Sequence, residues 1–238
     1  MAEKVVFVTG GTGGFGSVLA HALAKKGYNV GFSYLKNEAK ARDIENAWPG
    51  RAAAYRADVS DFENARAMAK FISDKWGRLD ALINCAGITR DGLLVKTSIP
   101  DWQEVMDVNL KGVFNCVKAC LPLLIDSGGG HIINISSYSG VKGKKGQAAY
   151  SASKAALIGL TVGASAELGQ YGIKVNAVLP GYMPTGMGPA AGEAMEKAKQ
   201  DSMLGALSSP EDAAGIVVSV LETSSITGQV FPVESRVM

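Results

Sequence analysis

The stretch TGGTGGFG occupies residues 9–16, directly after the apolar run KVVFV at residues 4–8. A helical pattern, FGSVLAHALAKKG, overlaps its end and continues to residue 27. Glycines at such a junction permit positive φ and bring the backbone close to a phosphate, which the N-terminus of a helix attracts. This strand–loop–helix context predicts dinucleotide binding, against the alternative of a tight turn with a purely structural role.

Beyond this loop, apolar β-branched runs alternate along the chain with longer amphipathic stretches. We predict strands at residues 5–9, 30–33, 52–57, 81–85, 131–135, 175–179 and 230–233, and helices at 14–26, 61–76, 101–120, 150–170 and 210–221. Such alternation of near-continuous apolar strands with helices indicates an α/β fold. We expect one doubly wound (Rossmann) domain over residues 1–238, with helices on both faces of a seven-stranded, mostly parallel sheet. Residues 184–207 break the alternation and predict an inserted, mobile helical flap over the substrate.

The composition narrows the possible partners. The chain has 238 residues, 47% of them hydrophobic, and a formal net charge of +2, so we expect no nucleic acid and no membrane partner. No opening segment has the composition of a secretion signal, and no segment approaches the ~20 continuous apolar residues of a membrane helix. Three cysteines and two histidines argue against a disulfide framework and a metal site, so we expect a reduced cytoplasmic protein.

The spacing of the glycine loop is Thr9-Gly10-x-x-x-Gly14-Phe15-Gly16, and further short motifs follow it. They are Asp58-Val59, Asn84-Cys85-Ala86-Gly87, Asn109 in VNLKGVF, Ser137 in NISS, YSASK from Tyr150 to Lys154, and Pro180-Gly181 with Thr185. Together they resemble the short-chain dehydrogenase/reductase family over nearly all of residues 4–233. One departure is Cys85, which replaces the second Asn of the family's NNAG motif. The resemblance implies a nicotinamide-dependent oxidoreductase that acts on CH–OH or C=O groups.

The resemblance also implies how a cofactor is bound. The glycine loop would hold the pyrophosphate, Asp58 would contact the adenine, and the PGxxxT segment would hold the nicotinamide carboxamide. The implied contacts are Gly10, Thr12, Gly13, Gly14, Phe15, Gly16, Asp58, Val59, Asn84, Ala86, Gly87, Tyr150, Lys154, Pro180, Gly181, Met183 and Thr185.

Tyr150 and Lys154 are four residues apart on a predicted helix, so their side chains lie on one face. A free tyrosine titrates near 10, and we expect the Lys154 ammonium to lower the pKa of Tyr150 towards neutrality. The resemblance implies that Ser137 and Tyr150 polarise a substrate carbonyl, with Tyr150 as general acid, and that Asn109 holds a water linking Lys154 to solvent. The Tyr–Lys pair alone would also suit a buried aromatic residue beside a surface charge, but the four residues together favour catalysis.

The second predicted strand and its end, NVGFSYLKN at residues 29–37, contain no acidic residue. In NAD-selective sites an acid at this point binds the adenosine ribose. Tyr34 and Lys36, with Ser33, offer hydroxyls and a cation to a 2′-phosphate instead, which predicts NADP(H). Gly13 is a departure, because NADP-preferring relatives often carry a basic residue there, and Lys36 alone would also suit an ordinary exposed lysine.

Within the family, residues 140–160 and PGYMPTGM at residues 180–187 are most similar to 3-oxoacyl-(acyl-carrier-protein) and acetoacetyl-CoA reductases. This implies NADPH-dependent reduction of a 3-oxoacyl thioester, with Gln147 beside Ser137 and Tyr150 at the substrate. A thioester brings an anionic arm, which a lysine-rich loop near the site could meet, although a solvated loop explains these charges equally well. The lysines are Lys142, Lys144 and Lys145.

Some features depart from those reductases. Gly130 and Tyr171 stand where they carry arginines that dock the carrier protein, and VESR at residues 233–236 replaces a VDGG-type tail. Methionines in or beside the flap would suit either an adaptable apolar pocket or simple flap packing. They are Met183, Met187, Met195 and Met203.

The resemblance implies a homotetramer, with a dimer next, assembled through the helices predicted at 101–120 and 150–170. The side chains expected at that interface are Val113, Val117, Ala155, Leu157, Ile158 and Thr161. Two other functions stay open. One is a reductase or dehydrogenase for another carbonyl or secondary alcohol, such as a sugar, a steroid or a cyclic ketone. The other is a non-catalytic NADP-binding protein.

Overall fold

Seven β-strands form the centre of the computed structural model, which describes residues 3–185 and 191–236. The strands are β1 Val5–Val8, β2 Asn29–Tyr34, β3 Ala52–Arg56, β4 Ala81–Asn84, β5 Gly130–Ile135, β6 Ile173–Pro180 and β7 Val230–Val233. They form one sheet in the order β3-β2-β1-β4-β5-β6-β7, and every neighbouring pair is parallel. The predicted fold class is therefore confirmed, with a sheet that is parallel throughout.

Helices connect the strands and cover both faces of the sheet. They are α1 Gly14–Lys26, α2 Glu38–Ala47, α3 Phe62–Trp76, α4 Ile99–Met106, α5 Gly112–Asp126, α6 Ser139–Lys142, α7 Ala148–Leu168, α8 Ala191–Gln200 and α9 Pro210–Leu221. Their inner faces complete two buried clusters, one beneath α1 and α9 and the other beneath α3 and α5. This two-sided burial explains why the strands are apolar at nearly every position rather than at alternate ones.

Two helices differ from the sequence pattern. Helix α2 escaped prediction because only Ala41 and Ile44 of its ten residues are buried, so its apolar stripe is too sparse to recognise. The helix predicted at 101–120 is longer, and a π-helical turn, Asp107–Lys111, joins α4 to α5.

The continuous helical run Ile99–Asp126 has 28 residues and is long and apolar enough to cross a membrane by length and composition. Charged residues such as Asp107, Lys111 and Lys118 interrupt this run, so it does not contain the ~20 continuous apolar residues that the sequence was expected to lack. Its inner face also belongs to the core, because Cys116, Cys120 and Leu124 are fully buried in the cluster under the sheet. The run is thus a core helix in this fold.

The predicted subunit interface needs correction. Val113, Leu157 and Thr161 are buried within the single chain, so they cannot form an interface and that part of the prediction is wrong. The other three predicted positions are half-buried or exposed. Large apolar side chains on the same helices that do reach solvent include Phe114 and Val162, with exposures of 55% and 50%.

The strand order reverses at β1, whose neighbours are β2 and β4. In open α/β sheets, ligands bind at the carboxyl ends of the strands beside such a switch point. The chain leaves β1 at Thr9, and Thr9 Oγ1 accepts hydrogen bonds from the N–H groups of Cys85 and Ala86, each at 3.0 Å. The fold therefore brings the glycine loop and the NCAG motif into one crevice.

Candidate active site

The glycine loop forms a cradle of backbone groups at the end of β1. Gly10 has φ 68°, in the left-handed region that favours glycine, and a β-carbon on it would lie 2.8 Å from Ala86 Cα. Gly13 N–H donates to Gly10 O at 2.9 Å, and a β-carbon on Gly16 would collide with that same carbonyl. Because side chains are excluded, the backbone at the N-terminus of α1 can approach a phosphate closely.

The segment after β6 folds back against this loop. Pro180 ends β6, and the Gly181 N–H donates to β7 at 3.0 Å. A β-carbon on Gly14 would collide with Thr185, so Thr185 lies directly against the start of α1. Met183 packs against the cluster beneath that helix. The structure thus brings the PGxxxT segment and the glycine loop together, as a dinucleotide that spans both requires.

Several predicted cofactor residues do not turn their side chains to the crevice. Phe15 and Val59 are buried, with exposures of 6% and 7%, so they offer only backbone atoms. Asn84 is also buried, and its amide links β4 to β5 by a hydrogen bond of 2.9 Å. Asp58 Oδ1 accepts the N–H and the hydroxyl of Ser60, at 2.9 and 2.7 Å, and so shapes the turn after β3.

The Ser137 side chain lies close enough to the Tyr150 phenol to lower its pKa, against the effect of burial. Ser137 lies just beyond β5, and Tyr150 is near the start of α7. Ser137 Oγ also accepts the N–H of Ser139 at 3.1 Å, which fixes the position of the hydroxyl. Two hydroxyl groups therefore lie side by side, so one carbonyl oxygen could accept a hydrogen bond from each.

Lys154 lies behind this pair, with only 4% of its surface exposed. Its Nζ donates to Ile135 O, at the end of β5, at 2.8 Å and lies 5.8 Å from the centre of the Tyr150 ring. Its backbone is held as well, because the buried Ser136 hydroxyl donates to Lys154 O at 2.7 Å. The ammonium is thus fixed between the end of the strand and the phenol.

Asn109 is fully buried in the π-helical turn. Its Oδ1 accepts the Ile88 N–H at 2.8 Å, and its Nδ2 donates to Ile88 O at 2.9 Å and to Ser153 Oγ at 3.0 Å. Gly87 brings it close to the lysine, since a β-carbon there would lie 3.3 Å from Asn109 Oδ1 and 3.4 Å from Lys154 Nζ. The structure therefore gathers all four predicted catalytic residues at one edge of the sheet.

The protonation of the pair differs from the sequence-based expectation. Burial raises the pKa of Tyr150 above its ordinary value, although the nearby Ser137 side chain opposes this rise. The expectation that the pKa of Tyr150 lies towards neutrality is therefore wrong for this structure, because burial outweighs the effects that lower it. Burial lowers the pKa of Lys154 to about 8, against the opposing influence of Cys85. A phenol with a raised pKa keeps its proton at neutral pH, and a general acid must carry that proton when the reaction begins.

Gln147, predicted to line the substrate site, precedes α7 directly. Its Nε2 donates to the two carboxylate oxygens of Asp91, at 3.2 and 3.0 Å, and its Oε1 accepts from Ser139 Oγ at 3.3 Å. The amide is therefore held by Asp91 and by Ser139, which is two residues beyond Ser137 in the chain.

The predicted lysines lie at the end of α6 and between α6 and α7, and the predicted flap follows the PGxxxT segment in the chain. All three lysines are exposed, and Lys144 Nζ lies 5.3 Å from the centre of the Tyr182 ring. In the flap, α8 precedes Met203, which is 73% exposed, and Met195 is half-buried. Met187 lies outside the described residues.

The end of β3 carries a cation, Arg56, that the sequence did not predict to belong to the cofactor site. Arg56 pairs in register with Tyr34, and its Nε donates to Leu35 O at 3.2 Å. The exposed guanidinium therefore lies beside the turn that carries Lys36. This proximity arises because β3 pairs with β2, and the sequence alone does not show that pairing. Ser33 does not offer its hydroxyl to a 2′-phosphate as expected, because it is buried and its Oγ accepts the Gly10 N–H at 3.1 Å.

A protein-family model described as short chain dehydrogenase matches residues 4–196. The chain belongs to the short-chain dehydrogenase/reductase family. Among curated members of this family, a 3-oxoacyl-[acyl-carrier-protein] reductase of Staphylococcus aureus is 41% identical over 197 residues, covering 82% of this chain and 80% of that protein. Nodulation protein G of Azospirillum brasilense is 41% identical over 225 residues, with coverages of 91% and 90%. A 3-oxoacyl-[acyl-carrier-protein] reductase of Thermotoga maritima is 36% identical over 239 residues, with coverages of 97% and 96%.

Membership in the short-chain dehydrogenase/reductase family makes this chain an NAD(P)-dependent oxidoreductase with a nicotinamide cofactor. The crevice fits that cofactor. Gly10 packs closely against Ala86 and Gly14 against Thr185, so the glycine loop contacts both of the other segments that the cofactor would span. The hydroxyls of Ser137 and Tyr150 lie at the same edge of the sheet, where a reacting carbonyl would have to meet the cofactor.

Proposed function

We propose that the protein reduces the 3-oxo group of an acyl thioester to a 3-hydroxy group with NADPH. The proximity of Ser137 to the Tyr150 phenol, with Lys154 Nζ 5.8 Å from the Tyr150 ring centre, is the observation that supports this most strongly. A paired hydroxyl site suits a carbonyl oxygen, which accepts two hydrogen bonds. Two of the relatives described above are named 3-oxoacyl reductases.

In this proposal each residue of the site has one task. Ser137 and Tyr150 donate hydrogen bonds to the carbonyl oxygen, and Tyr150 gives its proton to that oxygen as the alcohol forms. The glycine loop would hold the pyrophosphate of the cofactor and Thr185 its nicotinamide end, and the cofactor would supply the hydride. Lys154 stabilises the phenolate left on Tyr150 by its charge, and Asn109 lies beside Lys154, where a water could carry a proton in from solvent.

We propose NADPH rather than NADH because the end of β2 offers cations and no acid. Lys36 is exposed there, and Arg56 adds a guanidinium beside the same turn, which suits a 2′-phosphate. Tyr34 adds a partly exposed phenol. Ser33 is better understood as a support of the glycine loop, because its hydroxyl oxygen accepts the Gly10 N–H.

The thioester arm can be CoA or a carrier protein in this proposal, and the site favours CoA as the first probe. The exposed lysines between α6 and α7 offer positive charge to the phosphates of CoA. Gly130 leaves no room for a docking arginine, since a β-carbon there would collide with the backbone of Asp80. Tyr171 is exposed but uncharged.

We further propose that residues 1–238 act as one domain, with the described part of the flap beside the substrate. A homotetramer, or next a dimer, would cover the exposed Phe114 and Val162 on α5 and α7. A cytoplasmic setting suits the three free cysteines, of which Cys116 and Cys120 are buried. Light scattering of the purified protein tests the assembly, and a monomer at micromolar concentration would reject it.

A substrate panel tests the proposed reaction against the two alternatives. Acetoacetyl-CoA, a sugar, a steroid ketone and a cyclic ketone are each offered with NADPH at equal concentration. Preferred turnover of acetoacetyl-CoA supports the proposal. Preferred turnover of another carbonyl compound would show that the substrate belongs to that class instead. NADPH binding without turnover of any of them favours a non-catalytic NADP-binding protein, for which this site carries no specific support.

A further inference from the structure

The segment beyond β7 folds back against the loops that follow β5 and β6. Beyond β7, Arg236 places its guanidinium carbon 4.0 Å from the centre of the Tyr138 ring, and its Nη2 donates to Glu234 Oε2. Planar guanidinium groups stack on aromatic rings and attract their π faces, so the Arg236 contact orients the Tyr138 ring. Tyr138 directly follows Ser137, so the tail touches the segment that carries one of the two reactive hydroxyls.

This tail is buried rather than loosely attached. The Glu234 side chain is 4% exposed and that of Arg236 is 15% exposed. Glu234 Oε1 also accepts the N–H groups of Ser235 and Arg236, at 2.9 and 3.1 Å. A buried ion pair contributes little net stability, because desolvation of both charges offsets their attraction, so its more distinctive effect is to fix geometry.

The same ion pair reaches the segment after β6. A β-carbon on Gly181 would collide with Glu234 Oε2 and with Ser208 Oγ, so the tail packs directly against the Gly181 backbone. The Gly181 N–H donates to Val233 O at 3.0 Å, and the Tyr138 N–H donates to Pro180 O at 3.3 Å. One ion pair therefore contacts both loops that border the site, the one beyond β5 and the one beyond β6.

We propose that Arg236, held by Glu234, is a positioning residue that fixes the Ser137 hydroxyl for the reaction through Tyr138. The proposal rests on the proposed function of the Ser137–Tyr150 site. Tyr138 lies between Ser137 and Ser139, and the Ser139 N–H donates to Ser137 Oγ at 3.1 Å. Freedom at Tyr138 would therefore disturb the direction of the Ser137 hydroxyl.

Four variants test the proposal. Arg236→Ala removes the guanidinium group that stacks on Tyr138, and Arg236→Lys keeps the positive charge without the planar stacking. Glu234→Gln keeps the shape of the Glu234 side chain without its charge. Arg66→Ala is the matched control, because it removes an arginine from an exposed helical ion pair with Glu63. For each we measure the melting temperature, the Kd for NADPH, and kcat and KM for acetoacetyl-CoA. Hydrogen exchange at the Tyr138, Ser139 and Gly181 amides is measured without substrate.

We expect kcat of Arg236→Ala to fall about 10- to 100-fold, as for a hydroxyl displaced by a fraction of an ångström, with the NADPH Kd within about twofold of the wild type. Arg236→Lys should recover part of kcat, and Arg66→Ala should match the wild type. The three amides should exchange about tenfold faster in Arg236→Ala, whereas the amides within β5 should not change.

An unchanged kcat in Arg236→Ala overturns the proposal, as does a loss of NADPH affinity that parallels the loss of kcat. If Arg236→Ala unfolds, Glu234→Gln decides by the same criteria. If the wild type reduces no 3-oxoacyl thioester, the proposed function fails separately. Local exchange then decides the positioning, and unchanged exchange at all three amides rejects it.

Discussion

Lys154 Nζ lies 5.8 Å from the centre of the Tyr150 ring while it donates a hydrogen bond to Ile135 O at 2.8 Å. The strand end therefore holds the ammonium in place near the phenol. Burial raises the pKa of Tyr150, so the phenol keeps its proton until the reaction draws it away. We accordingly separate the source of the proton, Tyr150, from the charge that stabilises its loss, Lys154.

The first prediction concerns the proton donor. Tyr150→Phe removes the hydroxyl and leaves the ring, so kcat should fall by about 10²- to 10⁴-fold while NADPH binding and the melting temperature stay near the wild-type values. Steady-state kinetics with acetoacetyl-CoA measures this. Tyr171→Phe is the control, because Tyr171 is exposed beyond the end of α7 and should tolerate the change. Equal activity of wild type and Tyr150→Phe would contradict the mechanism.

The second prediction concerns the dependence of activity on pH. Burial lowers the pKa of Lys154 to about 8, so the lysine is charged below that pH and neutral above it. If the charge is needed, kcat/KM should hold at neutral pH and fall about tenfold per pH unit above pH 8. Lys154→Arg stays charged throughout, so any activity that it retains should lack this decline. A wild-type profile that rises above pH 8 would show that the neutral lysine is the active form.

The third prediction concerns cofactor choice. Lys36→Ala and Arg56→Ala should each weaken NADPH binding several-fold to tenfold and leave NADH binding nearly unchanged, because only NADPH carries the 2′-phosphate. Fluorescence titration of both cofactors gives the ratio. Lys25→Ala is the control, since Lys25 is exposed in the last turn of α1. Tighter binding of NADH than NADPH by the wild type would reject the choice of cofactor, and an unaffected NADPH Kd in either variant would remove that residue from the site.

The fourth prediction concerns stability in acid. Burial, with the nearby charges of Lys174 and Lys4, lowers the pKa of His131 from 6.5 to about 4. The unfolded chain therefore binds a proton between pH 6.5 and 4 that the folded chain does not, so stability falls as the pH falls through this window. We expect a loss on the order of 2 kcal/mol after solvent screening is allowed for.

Urea unfolding at several pH values between 4 and 7 measures this loss. His131→Gln should flatten the pH dependence, and His21→Gln, at an exposed position on α1, should leave it as in the wild type. A His131→Gln protein with the wild-type slope would assign the acid sensitivity to other groups.

The sheet and most of the site were predictable because their signals are local. Near-continuous apolar runs marked all seven strands, and the spacing from Tyr150 to Lys154 fixed their common face before the fold was known. Arg56 was not predictable, because its place beside the Lys36 turn depends on β3 pairing with β2. Sequence periodicity carries no such information about neighbours.

Three further features of the structure could not be predicted from the sequence. Helices α5 and α7 are apolar on more than one side, so the pattern could not tell that Val113 and Leu157 face inward while Phe114 faces solvent. The rise in the pKa of Tyr150 depends on how deeply the fold buries it. The contact of Arg236 with Tyr138 joins residues about a hundred positions apart, which no local motif reveals.

The proposed reduction of a 3-oxoacyl thioester, with Tyr150 as general acid, is tested most simply by measuring NADPH consumption by the purified protein with acetoacetyl-CoA. The Tyr150→Phe variant and NADH are measured in parallel. We predict rapid turnover by the wild type with NADPH, little with NADH, and a loss of at least about 100-fold in Tyr150→Phe. Tight NADPH binding without any reduction of acetoacetyl-CoA, or equal rates for the wild type and Tyr150→Phe, would contradict the proposed reaction.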